Sequence, residues 1–470
     1  MCKKKSNSYN ITFTTTEMNA SGNDNLISTL RKYINVSDNV KLVQVQYETD
    51  DSGILDTTTD MVPKGIFRKE GTVELTIKRA KVYMNDATYE MDMNQDVTIH
   101  VSDIAEPVDV LKYLKDISGK NLITSMHFDG SYTDADSLHE RIANEFGTYP
   151  AFYSADFLTG HTVGHRQEMI DEVIRQWKNG AIVQIMFHVS PPQYTVAQEN
   201  EGKWGVDPWS ERESRHNHIY SFLYNEDWEE LMTEGSELNT NWKLRMDEYA
   251  RYLQQLEDAG VTVLLRPFHE MNQHVFWWGG RTGLGGTAGL YRMFHDYMEK
   301  EKGLTNLIWV WDVQDMPENY GNELHPNFAP YRAEGIDQST VIADYDAQNL
   351  DLFNPGADYY DIIALDFYDQ GLNEPGDTLD HNHVYTQMWY DQVSAIAARD
   401  GKPMFIGETW AIISPATWAK QPKWCLSMPW GNRTWTHNAT GPEGMKEHYQ
   451  YEKFLKIEDT PTFSTRVKKN

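Results

Sequence analysis

Residues 261–280 read Val-Thr-Val-Leu-Leu-Arg-Pro-Phe-His-Glu-Met-Asn-Gln-His-Val-Phe-Trp-Trp-Gly-Gly. Five apolar or β-branched residues, Val261 to Leu265, run straight into Arg266, His269, Glu270 and Asn272. A continuous apolar run marks a parallel strand covered on both faces, and the sudden polarity marks its carboxyl end opening into a polar site. Phe276, Trp277 and Trp278 follow at once, either as core packing or as a wall for a ligand with an apolar face. Because the two tryptophans are adjacent, one is expected to point inward and the other toward a ligand. Met404-Phe405-Ile406-Gly407-Glu408 has the same form, with a second carboxylate at a strand end.

Outward from this stretch the chain alternates strand, loop and helix from about Glu106. Asn121 to Met126, Ala151 to Tyr153 and Ile182 to Phe187 read as strands before it. Leu307 to Val310, Ile362 to Leu365, Met404 to Ile406 and a weaker Cys425 to Met428 read as strands after it. Ala135 to Phe146 and Gln167 to Lys178 have helical spacing, the latter stopping at Asn179-Gly180. Asn239 or Thr240 is expected to cap a helix with the apolar stripe Met246, Tyr249, Leu253 and Leu256. About eight strands separated by helices fit an α/β fold of the (β/α)₈ TIM-barrel type. A doubly wound sheet is the competitor, but no Gly-rich phosphate loop follows any strand. The long polar stretch Gln193 to Glu237 is expected to be a loop at the catalytic face.

Before the barrel the pattern is short and alternating. Lys41 to Tyr47, Thr72 to Ile77 and Val97 to His100 have period two, with turns expected at Asn85-Asp86 and Gln95-Asp96. The chain is therefore divided into a tether over 1–10, a small β-rich module over 11–105, read as a structural spacer, and a barrel over 106–470.

The 470 residues are 40% hydrophobic and 24% charged, which is ordinary for a soluble globular protein. With 42 basic against 70 acidic residues the net charge is −28. Such a chain repels nucleic acid and anionic membranes, so neither is an expected partner. No run approaches the roughly 18 to 20 apolar residues that span a bilayer. Two cysteines, Cys2 and Cys425, make no disulfide framework. Cys2, followed by Lys3-Lys4-Lys5, resembles the lipidated start of a processed bacterial lipoprotein. The expected location is secreted, periplasmic or on the outer membrane, with a cytosolic start as the plain alternative. The aromatic content of 12%, with 15 Trp and 26 Tyr, exceeds what a core alone calls for and suits stacking on sugar rings.

The carboxyl ends of the strands, where a barrel does chemistry, carry His127, His188, His269-Glu270, Trp311-Asp312, Asp366-Phe367-Tyr368, Glu408 and Trp430. Breaking a glycosidic bond needs one protonated carboxyl at the leaving oxygen and a second carboxylate at the anomeric carbon. Glu270 and Glu408, from the fourth and seventh strands, are the candidates. Desolvation among His269, Trp277 and Trp278 would keep Glu270 protonated, while Tyr368 and Arg266 would favour ionised Glu408. The plain alternative makes one of them a buried ion-pair partner. His188 and His269 are read as hydrogen-bonding groups; no HExxH pair or Cys/His cluster supports a metal.

At these residues the chain resembles glycoside hydrolase family 26, whose best-known members are β-mannanases with a (β/α)₈ barrel and a retaining mechanism. The resemblance runs from about Asp109 to His448. It rests on Tyr113 to Lys120 before the first strand, Tyr149-Pro150-Ala151 before the second, the R-P-x-H-E segment at Arg266 to Glu270 and F-W-W-G at Phe276 to Gly279. Asn306 to Trp311, Tyr360 to Tyr368 and Ile406-Gly407-Glu408 complete it. It implies Glu270 as acid/base, Glu408 as nucleophile and Tyr368 as the group orienting that nucleophile. It also implies His188, His269 and Trp430 around the cleaved sugar, and no metal or organic cofactor. His127, Arg266, Trp277, Trp278, Trp311 and Asp366 complete the expected substrate-binding set. Two departures bear on the substrate: Val275 stands where the family usually has an aromatic, and Asp312-Val313 where Asn-Pro is commoner.

The expected function is a retaining endo-β-1,4-mannanase acting on mannan, glucomannan or galactomannan as a monomer. The alternatives are a mixed-linkage glucanase, a β-1,3-xylanase, a chain-end mannobiohydrolase, or a non-catalytic glycan-binding protein on the same barrel.

Overall fold

The structure is a computed structural model that describes residues 11–35, 39–128, 130, 132–157, 162–200, 219, 223–316, 345–368, 387–431, 433–436 and 441–467. The expected tether with Cys2, and part of the expected loop between Gln193 and Glu237, lie outside these residues. Four strands come first: β1 (Glu17–Gly22), β2 (Lys41–Thr49), β3 (Gly71–Met84) and β4 (Ala87–Ile104). They form one sheet in the order β1-β4-β3-β2, with β1 parallel to β4 and the other pairs antiparallel. The β3–β4 hairpin turns at Asn85 and Asp86, both in the left-handed region (φ 51° and 58°), as a two-residue hairpin requires. The turn expected at Gln95-Asp96 does not form. Both residues lie inside β4 opposite Ile77 and Thr76, and the chain absorbs the irregularity as a register shift beside Asn94 (φ 48°).

Eight parallel strands follow: β5 (Leu122–His127), β6 (Phe152–Asp156), β7 (Ile182–Phe187), β8 (Val263–Pro267), β9 (Leu307–Gln314), β10 (Ile362–Phe367), β11 (Met404–Thr409) and β12 (Trp424–Pro429). Each pairs with the next, and β12 returns to β5 through Leu426 to Ile123 and Ser427 to Thr124, closing the barrel. Every residue of these eight strands is buried, which explains their unbroken apolar runs: one face meets the barrel interior and the other the helices. The helix Glu237–Asp258 supplies Trp242, Met246, Tyr249, Leu253 and Leu256 to that outer layer. Its cap is Ser236, whose hydroxyl accepts from the Asn239 amide at 3.1 Å; Asn239, expected as the cap, is buried and donates to the Leu231 carbonyl instead. No helix among the described residues is long and apolar enough to cross a membrane.

The first sheet is welded to the barrel. Val43 and Tyr83 pack with Ala143, Tyr149, Ala181 and Ile457 across the seam. Beside them Lys64 is fully buried, and its ammonium donates to Thr460 O (2.8 Å), Thr460 Oγ1 (2.9 Å) and Pro461 O (3.0 Å). Burial pushes this lysine down to about 7. Arg31 pairs with Glu458 at 2.8 Å, and Lys81 with Glu140 at 2.6 Å. Lys64→Met keeps the apolar stem but leaves two buried carbonyls without a donor, a loss of about 2–4 kcal/mol. Urea unfolding is expected to show that loss; an unchanged midpoint would mean that the seam does not depend on Lys64.

Candidate active site

Arg266, near the end of β8, is fully buried and gathers the mouth of the barrel. Its Nη1 donates to Asp312 Oδ2 at 2.8 Å and to Asp366 Oδ1 at 3.0 Å, and its Nη2 donates to Glu408 Oε1. The partners come from β9, β10 and β11, so four consecutive strands share one cation. Burial works against the guanidinium charge, and Asp366, Asp312 and Glu408 outweigh it, raising its pKa. A buried ion is tolerable only when paired and hydrogen-bonded in this way. Gly407 makes room for the cluster: a Cβ there would overlap Asp312 Oδ2 and Asp366 Oδ1. Strand pairing around Gly407 is irregular, with register shifts against both β10 and β12. The shift lets Glu408 reach the same interior that Gly407 faces.

Glu270 comes in from the loop after β8. Phe268 and Glu270 have positive φ (51° and 53°), and every other non-glycine residue with positive φ among the described residues is Asn or Asp. Such backbone costs about 1–3 kcal/mol per residue and persists only where its surroundings impose it. Here they do. The Glu270 amide donates to Asp312 Oδ1 at 2.9 Å. Asn272 bridges to β9, donating to Gln314 O at 2.8 Å and accepting from the Gln314 amide at 2.7 Å. The Glu270 carboxyl accepts a hydrogen bond from Gln273 Nε2. One carboxylate oxygen each from Glu270, Asp366 and Glu408 lies within 4.8 Å of the others. Of these three carboxylates Arg266 pairs with two, Asp366 and Glu408.

Burial pushes the Glu270 carboxyl well above the ordinary carboxylate range; Glu408 and Asp312 add to the rise and Arg266 opposes it. Glu408 is also raised by burial, but Arg266 and the Tyr368 hydrogen bond pull it back. Asp366 is pushed up by burial against the pull of Arg266. One guanidinium cannot neutralise four carboxylates. Glu270 is the one that Arg266 does not touch, so its proton is the best retained.

Around this pair stand the histidines. His127 Nδ1 meets Ser154 Oγ at 3.0 Å, and its ring stacks on Trp430 at 4.0 Å. His188 Nδ1 meets Asp156 Oδ2 at 2.5 Å, and its ring lies edge-on to His269 at 4.3 Å. His269 Nε2 is 3.9 Å from Glu408 Oε1. Burial pushes His127 down to about 3 and His269 well below its ordinary range, which keeps both rings neutral. Tyr368 donates its hydroxyl to Glu408 Oε2, and its own amide donates to Asp315 at 3.0 Å.

The structure thus brings His127, His188, Arg266, His269, Glu270, Asp366, Tyr368, Glu408 and Trp430 to one end of the barrel. The tryptophans of the F-W-W-G segment diverge, one into the core and one beside the histidines. Both are buried: Trp277 donates to Val189 O at 2.8 Å and Trp278 to His269 O at 2.9 Å. Trp277 packs on Trp242 at 5.6 Å, while Trp278, stacked on Phe276 at 4.5 Å, approaches His269 at 5.7 Å and His188 at 6.2 Å, as Phe276 does. Trp311 lies on the outer side of β9 against Tyr360 at 5.1 Å, because alternation turns it away from Asp312. Asp312 was read among the strand-end groups but given no role, and Gly407 and Gln273 were not among the expected site residues. Alternation along β9 would have singled out Asp312, whereas nothing local marks the other two.

The model of a family described as glycosyl hydrolase family 26 matches residues 97–327. A mannan endo-1,4-beta-mannosidase of Bacillus subtilis (strain 168) is 26% identical over 296 residues, 59% of this chain and 64% of its own length. One from Thermothelomyces thermophilus is 26% identical over 361 residues, 74% of this chain and 60% of its own length. The chain therefore spans less than two thirds of these curated relatives. Among solved structures, GH26A from a Muricauda sp. is similar with a TM-score of 0.57 and 27% identity, covering 75% of this chain and 96% of that one. The family match spans the strands that carry His127, Arg266, Glu270 and Asp312, and the barrel is shared with the Muricauda GH26A, so the chain is similar to glycosyl hydrolase family 26 in sequence and in fold.

Proposed function

We propose that the chain hydrolyses β-1,4-mannosidic bonds within mannan, glucomannan or galactomannan, with retention of configuration. The observation that carries this reading is the pair Glu270 and Glu408, with carboxylate oxygens within 4.8 Å at the barrel mouth. Such closeness fits the roughly 5–5.5 Å of retaining enzymes better than the about 6.5–9.5 Å of an inverting pair. The mannosidase names of the relatives support the choice of linkage.

Glu408 attacks the anomeric carbon as a carboxylate, while Glu270 gives its proton to the departing oxygen. The resulting mannosyl ester on Glu408 is then hydrolysed: Glu270, now ionised, takes a proton from water, and the water oxygen displaces Glu408. Arg266 and Tyr368, one on each oxygen of Glu408, hold its two lone-pair edges in place and stabilise its charge. His188, His269 and Trp430 line the position of the sugar being cleaved, with His127 behind Trp430. His127 and His269, kept neutral, can hydrogen-bond hydroxyls without adding charge beside the oxocarbenium-like transition state.

The test is product analysis on unbranched β-1,4-mannan, galactomannan, mixed-linkage glucan and β-1,3-xylan in parallel. Mixed manno-oligosaccharides are expected, and one dominant disaccharide would mean chain-end action. Val275, in place of an aromatic, makes the glucan and xylan arms worth running; products from those alone would move the substrate. Glu408→Ala is expected to lose at least about 10³-fold in kcat while retaining polysaccharide binding. Turnover unchanged in that variant would contradict the mechanism. Activity should follow a bell in pH, its acid limb set by protonation of Glu408 and its alkaline limb by loss of the Glu270 proton. Because burial raises Glu270, the alkaline limb should lie well above the ordinary carboxylate range. Glu270→Gln should abolish that limb and lose about 10²–10⁴-fold on polysaccharide, with aryl mannosides bearing good leaving groups spared in the first step.

A further inference from the structure

Gln273 makes the hydrogen bond to the Glu270 carboxyl that no other side chain makes among the described residues: its Nε2 donates to Oε2. Its own position is not free. The Gln273 amide donates to Glu270 O at 3.1 Å, closing a turn over the strained residue, and its carbonyl lies where a Cβ on Gly279 would sit. Asn272, next to it, is anchored to β9 and to Ala347 O at 2.9 Å. The side chain is almost wholly buried, at 4% exposure. A carboxamide held this way aims its N–H at one chosen oxygen of the carboxyl.

Resting on the glycosidase reading above, we infer that Gln273 is a positioning residue for the acid/base, directing the transferable proton of Glu270 onto Oε1 and stabilising the carboxylate left behind. The chemistry follows from the donor. With Oε2 accepting from an N–H, the proton on Glu270 resides on Oε1, and that oxygen delivers it to the departing sugar. Once the proton has gone, the same N–H becomes a charge-assisted bond to a carboxylate, roughly twice as strong as a neutral one. The groups facing Glu270 are Arg266 on β8, Asp312 and Asp315 at the end of β9, Asp366 and Tyr368 at the end of β10, and Glu408 on β11. Glu408, Asp312 and Asp315 raise Glu270 and so hold its proton, while Arg266 opposes them. Gln273 counters them directly at the carboxyl, so the group can both release a proton and reclaim one from water.

The experiment compares wild type, Gln273→Met and Gln273→Glu on β-1,4-mannan and on an aryl mannoside with a good leaving group, across the pH range. Met matches the length of Gln without a donor. It is expected to lower kcat about ten- to a hundredfold with KM unchanged, and to move the alkaline limb up by about one pH unit. On the aryl mannoside the loss should fall on the second, water-activating step. Glu donates only when protonated, so Gln273→Glu should approach wild type only on the acid side of the profile. A wild-type rate and pH profile for Gln273→Met, in a wild type that cleaves mannan and depends on Glu270, would overturn the inference and leave the glycosidase reading standing. A change in KM alone would also overturn it, since Gln273 would then be touching the sugar. A wild type that cleaves neither substrate would overturn both.

Discussion

A guanidinium without access to water has to be surrounded by negative charge, and the mouth of this barrel is arranged to meet that demand. Arg266 draws in Asp312, Asp366 and Glu408 from the three strands that follow its own. Each partner is thereby fixed at one end of a rigid strand. Removing one partner from such a cluster leaves buried charge uncompensated and typically costs about 3–5 kcal/mol. The same cluster sets the electrostatics of the reaction. Direct contact with the cation opposes the rise that burial gives Glu408, while Glu270, close to the acids and out of reach of Arg266, is pushed well above the ordinary carboxylate range. The two roles proposed for these carboxyl groups rest on this asymmetric placement of charge.

The second constraint is backbone strain at Phe268 and Glu270. A chain leaving β8 in ordinary geometry would not turn Glu270 across the mouth while keeping Asn272 on β9. Both residues therefore adopt left-handed backbone, and Asp312 and Asn272 hold them there. Asp312 serves twice, accepting from Arg266 with one oxygen and from the Glu270 amide with the other. It couples the loop that carries Glu270 to the cation that holds Glu408. Trp277 and Trp278, buried and hydrogen-bonded to backbone carbonyls, form the floor on which that loop rests.

The eight strands were legible because parallel strands covered on both faces carry unbroken apolar runs that end in polar residues. Glu270, Glu408, Arg266 and the histidines were legible for the same reason, as the first polar groups after those runs. Direction was harder to read. Trp311 and Asp312 are neighbours at a strand end, and only the alternation of β9, with Val310 inside, sends the aspartate to the site and the tryptophan to the helices. Adjacency led to the expectation that Trp277 and Trp278 would diverge; Trp277 turns to Trp242 and Trp278 to His188 and His269, although the loop buries both. Ser236, Asn239 and Thr240 are all competent caps, and the choice among them falls to the packing of Asn239 against Leu231. Gln95-Asp96 has turn composition, but a long hairpin with a bulge at Asn94 runs through it. Gly407 and Gln273 carry no local signal, since their importance comes from oxygens supplied by distant parts of the chain.

Asp366, like Glu408, has a carboxylate oxygen within 4.8 Å of one on Glu270, so the identity of the nucleophile is the central claim to test. The direct measurement is to trap the covalent intermediate with a 2-deoxy-2-fluoro mannoside bearing a good leaving group, digest the protein and locate the label by mass spectrometry. The account predicts one mannosyl adduct, on Glu408. A label on Asp366 or Glu270 would contradict it, and so would complete turnover with inversion at the anomeric carbon.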